Sequence, residues 1–291
     1  MVRWAVSRAT ISRLQLLAAA LLFSTGGAAI KATTLDSWQV ACFRSGAAVA
    51  AVLVLAPASR KNWTWRVPVV GLAYAATMVL FVSSNKLTTS ANAIFLQDTA
   101  PLYLLLFGPW LLKEAIRKSD LILMAVLALG MSMFFIGKQM PFHTAPDPAR
   151  GNLVAVVSGI TWALTIAGLR WLEVREHGRQ AGMAAVAAGN AIAFLACLPK
   201  ALPVAHSTPI DWLTVAYLGV FQIGLAYVFL TRAVRRVPAL EASLLLLAEP
   251  ALNPVWTWAV HGERPNALAL VGGALIIAGT AGRMLQHDGT A

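Results

Sequence analysis

Glu249-Pro250-Ala251-Leu252-Asn253-Pro254, followed by Gly262-Glu263-Arg264, is the stretch on which the reading of this chain turns. Glu249, Pro250 and Pro254 lie inside the apolar segment Pro238–Val260, and Glu263 comes 13 residues after Pro250. The arrangement has an earlier counterpart, where Pro101 precedes Glu114 by 13 residues. Gly130 and Gly279 come later, and the three pairs (Pro101 with Pro250, Glu114 with Glu263, Gly130 with Gly279) are each 149 residues apart. A shared offset of that size points to a duplicated unit about half the chain in length.

The segments around these motifs are equally apolar. Of 291 residues 58% are hydrophobic and 12% charged, with a mean hydropathy of +0.70. A soluble domain carries about 25% charged residues, so this chain lacks the charge to cover a water-facing surface. A helix crosses a bilayer in about 20 apolar residues, and ten stretches meet that need: Leu14–Ile30, Trp38–Ala56, Val67–Asn85, Thr88–Leu112, Leu121–Gly137, Asn152–Leu169, Gln180–Leu198, Trp212–Leu230, Pro238–Val260 and Asn266–Leu285. The longest connection, Lys138 to Gly151, holds Pro141, Pro146 and Pro148. It divides the chain into a first five-helix unit (residues 1-138), a connecting loop (139-151) and a second unit (152-291). The fold class expected is therefore an all-α integral membrane protein of ten transmembrane helices.

The net charge of +11 would suggest nucleic acid in a soluble protein. Here it follows the Lys/Arg excess of cytoplasmic membrane loops, and no nucleic-acid partner is expected. Sixteen Lys+Arg fall in the N-terminal segment, the even-to-odd loops and the C-terminal end, against six in the opposite loops. The positive-inside rule then puts both termini in the cytoplasm, as suits a multi-pass protein of a bacterial inner membrane. The fourth span runs inward and the ninth outward, so the two units are inverted copies. Such repeats are common in secondary transporters, with the substrate site near mid-membrane between the halves. Arg3, Arg8 and Arg13 before an apolar run resemble a signal peptide, but the loop parity works only if that run is retained as the first span. Cys42 and Cys197 lie in apolar runs and read as packing residues, and no metal or cofactor is expected.

Glu249-Pro250 with Gly262-Glu263-Arg264 resembles the repeated signature of the drug/metabolite transporter superfamily, EamA type, and Phe43-Arg44-Ser45-Gly46-Ala47 resembles that family's Arg-containing segment. The likeness covers the whole chain as two five-helix repeats. It implies a ten-helix exporter with a central cavity, most similar to bacterial YddG-type exporters of aromatic and other neutral amino acids. The first repeat departs from the pattern, with Ala100 where the second has Glu249, and the seventh span has no arginine matching Arg44.

Four charges fall within spans: Arg44, Asp98, Glu241 and Glu249. Each costs on the order of 3 kcal/mol there. At 1.5 Å per residue, Asp98 and Glu249 lie about 15 Å from the outer ends of their spans and Arg44 about 9 Å, so the carboxylates sit near the midplane of a core about 30 Å thick. They suit a substrate amine or a proton-coupling carboxylate. The alternative is a buried Arg–carboxylate pair that locks helices, the role expected of Arg44. Glu241 is close enough to its span's end to snorkel. Pro101 and Pro250 remove the helix bonds to Gln97 and Leu246, and are read as gating breaks in a pair of spans that Pro109 and Pro254 break further. A static bend is the alternative.

Uncharged polar and aromatic side chains complete the candidate substrate-binding set: Ser24, Tyr74, Asn92, Thr99, Tyr103, Ser158, Trp162, Gln222 and Tyr227, beside Asp98 and Glu249. Along the fourth span, Asn92, Thr99 and Tyr103 fall on one helical face at spacings of 7 and 4. Trp38, Trp63, Trp65, Trp171 and Trp212 mark the membrane interfaces. A mostly apolar cavity with few polar groups suits a small amphiphile, whereas a sugar phosphate needs several deep cations. Ladders of small residues (Ala155-Gly159-Ala163-Ala167, Ala181-Ala185-Gly189-Ala193-Cys197, Ala274-Ala278-Gly282) read as packing within a monomer. With no Walker segment, transport of neutral or aromatic amino acids by alternating access, driven by a gradient (H+ antiport or simple facilitated movement), is the leading expectation. Its partners are the small-molecule substrate and membrane lipid. A multidrug or nucleoside- or sugar-type carrier of the same fold is the alternative, and a membrane enzyme the remote one, since the five histidines are scattered.

Overall fold

In the computed structural model the described residues are 8–61, 63–111, 118–136, 141–175, 181–233, 236–237, 242 and 245–288. Glu114, Glu241 and residues 137–140 lie outside them. Among the described residues the elements are helical, apart from one isolated bridge between Phe142 and Ala145. Among the described residues six helical runs are long and apolar enough to cross a membrane: Thr10–Ala32, Ser37–Leu55, Arg66–Leu87, Pro148–Leu172, Ala181–Ala201 and Pro209–Ala233. Shorter apolar helices include Asp120–Ser132 and Ala267–Gly282.

In chain order the helices are α1 (Arg8–Ser24), α2 (Gly26–Ala32), α3 (Ser37–Leu55), α4 (Arg66–Leu87), α5 (Ser90–Gln97) and α6 (Ala100–Leu111). There follow α7 (Lys118–Ser132), α8 (Pro148–Arg175), α9 (Ala181–Ala201) and α10 (Pro209–Tyr217). A π-helical stretch, Leu218–Leu225, joins α10 to α11 (Ala226–Ala233), and α12 (Ala248–His261) and α13 (Ala267–Asp288) complete the described set. Their ends are chemically marked. Asp36 accepts the Gln39 amide N–H while the Gln39 side chain accepts the Asp36 N–H, a reciprocal cap that starts α3. Thr208 and Asp211 do the same for α10. Gly262, at φ 67°, takes the left-handed turn that ends α12 and that favours a residue without Cβ.

The fourth stretch is not a single helix. α5 stops at Gln97, Asp98 and Thr99 form a turn, and α6 begins at Ala100 with Pro101 in its first turn. Proline lacks the N–H to continue α5 and is well placed in a first turn. In the ninth stretch Pro250 likewise falls in the first turn of α12. Each proline therefore sits where a helix starts afresh.

Small residues set the packing of the spans. α4 lies along both α8 and α9, and α3 along α9. Ala181, Ala185, Gly189, Ala193 and Cys197 are all buried, as are Ala155, Gly159, Ala163 and Ala167. A Cβ on Gly189 would stand 2.7 Å from the Gly71 carbonyl oxygen and 2.5 Å from the Tyr74 ring. The third ladder behaves otherwise: Ala274 and Ala278 face outward, and a Cβ on Gly282 meets nothing within 4 Å. α13 packs instead through Gly272, Gly273 and Ile276, with a Cβ on Gly272 only 2.5 Å from the Gly130 carbonyl oxygen. The four-residue period marked a small face of α13, but the adjoining glycines let α7 in.

Gly189→Val forces α4 and α9 apart at a backbone contact. It is expected to cost about 1–3 kcal/mol, read as a fall in detergent melting temperature, whereas Gly282→Val leaves that temperature unchanged.

Candidate functional site

The breaks at Asp98 and Glu249 open onto one cavity of about 280 Å³. Gln97, Asp98 and Pro101 reach it from the α5–α6 junction, and Leu246, Leu247, Glu249 and Pro250 from the start of α12. Pro101 and Pro250 cannot bond the Gln97 and Leu246 carbonyls, and both of those residues line the cavity. Phe23, Met78, Phe81, Trp162, Ile223, Tyr227 and Ile276 supply much of the wall, with Arg44, Gln222 and Thr280 adding polar groups. The lining is thus predominantly apolar and aromatic, with two carboxylates and one guanidinium as its charged groups. The size is near the lower end of ligand cavities and fits a small metabolite.

Arg44 is 1% exposed and pairs with no carboxylate among the described residues. Its Nη2 donates to the Met78 carbonyl at 3.0 Å, and its Nε has no partner. The helix-locking ion pair expected of Arg44 is therefore not present in this arrangement. Gln222 likewise has an unpartnered Oε1, while its Nε2 is 3.5 Å from the Phe23 carbonyl. Gln222 lies on the π-helical stretch, whose Gly219 and Gly224 pack closely on Ala47 and Ala51 of α3, the helix of Arg44. π-Helical turns are often found at functional sites.

The cavity gathers Arg44, Asp98, Pro101, Trp162, Gln222, Tyr227, Glu249 and Pro250 from the sequence-derived candidates. The others lie elsewhere. Ser158 donates to Gln97 Oε1 at 2.6 Å and so orients a lining residue from behind. Tyr74 is buried with its ring 5.7 Å from that of Tyr227, and its hydroxyl receives Asn190 Nδ2 at 3.3 Å. Ser24 accepts Trp256 Nε1 at 2.9 Å. Thr99 donates to the Leu96 carbonyl at 2.6 Å, closing the turn between α5 and α6. Tyr103 points its hydroxyl at Met131 Sδ, 3.5 Å away. Asn92 joins Asn152 Oδ1 at 3.1 Å, near the start of α5. The face shared by Asn92, Thr99 and Tyr103 assumed an unbroken helix; the turn at Asp98–Thr99 ends that register.

Sequence reasoning overlooked two features. Gln97 and Thr280 are polar lining residues; the freed Gln97 carbonyl was legible beside Pro101, but not that its side chain lines the cavity. The second is a polar layer at the end of the bundle where α2, α4, α9 and α12 finish and α5, α8, α10 and α13 begin. Lys31 Nζ sits 2.9 Å from Glu263 Oε1, with the two side chains 1% and 2% exposed. Lys31 also donates to the carbonyls of Thr88 and Thr144. Glu263 receives Thr144 Oγ1 at 2.7 Å and the Ser90 amide N–H at 2.8 Å. Ser90 Oγ is in turn 2.6 Å from Asn253 Oδ1. Glu263 had been noted for its 149-residue offset from Glu114, but its partner is 232 positions away and left no local signal.

The EamA-like transporter family matches this chain twice, over residues 10–136 and 149–284. The chain belongs to the EamA-like transporter family. It is a membrane transporter and not an enzyme. It is 25% identical over 203 residues to the aromatic amino acid exporter YddG of Ancylobacter novellus, covering 69% of each chain. To the pseudopaline exporter CntI of Pseudomonas aeruginosa (strain UCBPP-PA14) it is 26% identical over 267 residues, covering 89% of this chain and 90% of the exporter. A crystal structure of a protein 22% identical in sequence superposes with a TM-score of 0.61 over 96% of this chain and 99% of the other, a likeness of fold. The family match makes the chain a multi-pass membrane transporter, and the two named relatives are exporters.

A buried cation with few partners is costly, so replacing it with an apolar side chain of similar length should not weaken the fold. Arg44→Met is expected to leave the ligand-free melting temperature unchanged or slightly raised. A fall of several degrees would show that the guanidinium holds the helices together.

Proposed function

We propose that the chain is a ten-helix secondary exporter, built of two inverted five-helix repeats, that moves small zwitterions, chiefly neutral and aromatic amino acids, by alternating access. The paired matches over residues 10–136 and 149–284 and the 149-residue offset support the duplication. The odd parity between the fourth and ninth spans supports its inversion. The Lys/Arg distribution favours cytoplasmic termini in a bacterial inner membrane, and the buried ladders of α8 and α9 favour a monomer.

The observation that carries the reading is the shared lining of Asp98, Glu249 and Arg44 in an otherwise apolar and aromatic cavity. Carboxylates at two helix breaks suit a substrate ammonium, and the unpartnered Nε–H of Arg44 suits a carboxylate. Trp162, Tyr227 and Phe23 suit an aromatic or aliphatic side chain. Gln222 and the Gln97 side chain, held by Ser158, add neutral hydrogen-bonding groups. Pro101 and Pro250, by interrupting the helices beside the site, supply hinges for its exposure to either face. A second reading, export of pseudopaline or a compound like it, is favoured by the longer match to the pseudopaline exporter.

Counterflow of labelled phenylalanine and of pseudopaline into proteoliposomes separates these readings. Phenylalanine is expected to move and to be competed by other neutral amino acids. Loss of one charge-assisted contact is worth about 1.5–3 kcal/mol, so Glu249→Gln and Asp98→Asn should each lower phenylalanine flux about tenfold or more. Movement of pseudopaline alone favours the second reading. Full flux in both variants removes the carboxylates from the mechanism.

A further inference from the structure

We infer that Lys31 and Glu263, with Thr144 and Ser90, form the gate that seals the cavity at one end of the bundle and must part for substrate to pass there. The inference rests on the alternating-access reading but not on the identity of the substrate.

The cavity is asymmetric along the bundle axis. Towards the end that carries Lys31 and Glu263 its lining stops at Phe81, six residues or about 9 Å from the end of α4, and at Arg44, about 10 Å into α3. Towards the other end it reaches Leu230, three residues before α11 finishes. The space between the cavity and the first end is where the Lys31–Glu263 layer lies.

That layer joins segments distant in sequence. Lys31 ends α2, Ser90 begins α5, Thr144 belongs to the segment before α8, and Glu263 follows α12. The ion pair links the first half of the chain to the second, and both ions are satisfied. Lys31 uses its three donors on Glu263, Thr88 and Thr144, while Glu263 receives from three groups across its two oxygens. Between helices that never separate, apolar packing of similar volume serves as well or better than a buried ion pair. At a seam that opens to water the balance differs: parted, Lys31 and Glu263 regain hydration, whereas a parted apolar seam exposes its surface. The pair is thus a latch with two comparable states, dry and joined or wet and apart, the kind of bistable contact on which a two-state transition turns.

The test reads access to the cavity and needs no substrate. In a protein carrying Cys42→Ala and Cys197→Ala, a single reporter, Ile223→Cys, is placed on the cavity wall. A membrane-impermeant methanethiosulfonate reagent is applied to sealed vesicles from either side. With the pair intact, labelling is expected to be slow from the Lys31–Glu263 end and faster from the other. Glu263→Gln and Lys31→Met each raise the slow rate about tenfold or more as the joined state loses its pair, and the exchanged pair Lys31→Glu with Glu263→Lys returns it towards the starting value. Unchanged labelling from the Lys31–Glu263 end in both single variants, with labelling from the other end intact, overturns the gate while leaving the cavity reading in place.

A second arm covers the case in which the single variants fail to fold. With the ion pair unaltered, Gly27→Cys and Ser90→Cys place two Cβ atoms about 3.0 Å apart, inside the roughly 3.5–4.5 Å usual for a disulfide, so the two segments ease apart by several tenths of an ångström to form the bond. Label is read at position 223 alone, by peptide mass spectrometry, so that the two new thiols are not counted; oxidation is expected to abolish it from that end, and reduction before labelling to restore it. Labelling that oxidation leaves unaffected overturns the proposal.

Discussion

Inside a hydrocarbon layer a polar group without a partner is expensive, and that cost organises this structure. Backbone groups meet it by forming helices, and the helices then pack through alanine and glycine faces such as Gly71 against Gly189. Where the helices break, at Asp98–Thr99 and before Pro250, the freed backbone and the intramembrane carboxylates face a shared cavity. Away from the cavity, Lys31 and Glu263 are bonded to each other within the protein, and at its edge Ser158 holds the Gln97 side chain. Arg44 and Gln222, which line the cavity, each keep an unpartnered atom.

The cavity and the polar layer solve complementary problems. A transporter must hold a charged or zwitterionic substrate at depth without a permanent water path. The cavity supplies two carboxylates, one guanidinium and an aromatic wall in a small volume. The layer around Lys31 and Glu263 closes the space between the cavity and one end with bonds that water can replace. The two are linked through α5, whose first residue Ser90 binds Glu263 and whose last residue Gln97 lines the cavity. Eight residues of one helix thus connect the seal to the site. Asn253 of α12 touches Ser90 within four residues of Glu249, so both broken spans enter both features.

The apolar stretches and the spacing of Pro101 and Pro250 were legible in the sequence, because hydropathy and proline act locally. So were most of the charged cavity residues, since an ion at bilayer depth stands out against its neighbours. What failed to show was geometry that depends on register and on distant partners. Asn92, Thr99 and Tyr103 share a face only on an unbroken helix, and the turn at Asp98 sends them to three different surroundings. Ser24 and Tyr74 are taken up by distant partners, Trp256 and Asn190 among them, that no local pattern foretells. The ladder Ala274-Ala278-Gly282 had the right period but the wrong side of α13. Lys31 and Glu263 lie just past the ends of their apolar runs, Leu14–Ile30 and Pro238–Val260, and only folding buries them together.

The central claim is that the cavity recognises an ammonium and a carboxylate on one small amphiphile, and equilibrium binding of phenylalanine and its truncated relatives to the purified protein tests it most directly. Phenylalanine should bind far more tightly than either phenethylamine, which lacks the carboxylate, or 3-phenylpropionate, which lacks the amine. If either analogue binds as tightly as phenylalanine, or if none of the three binds, the account of the site is wrong.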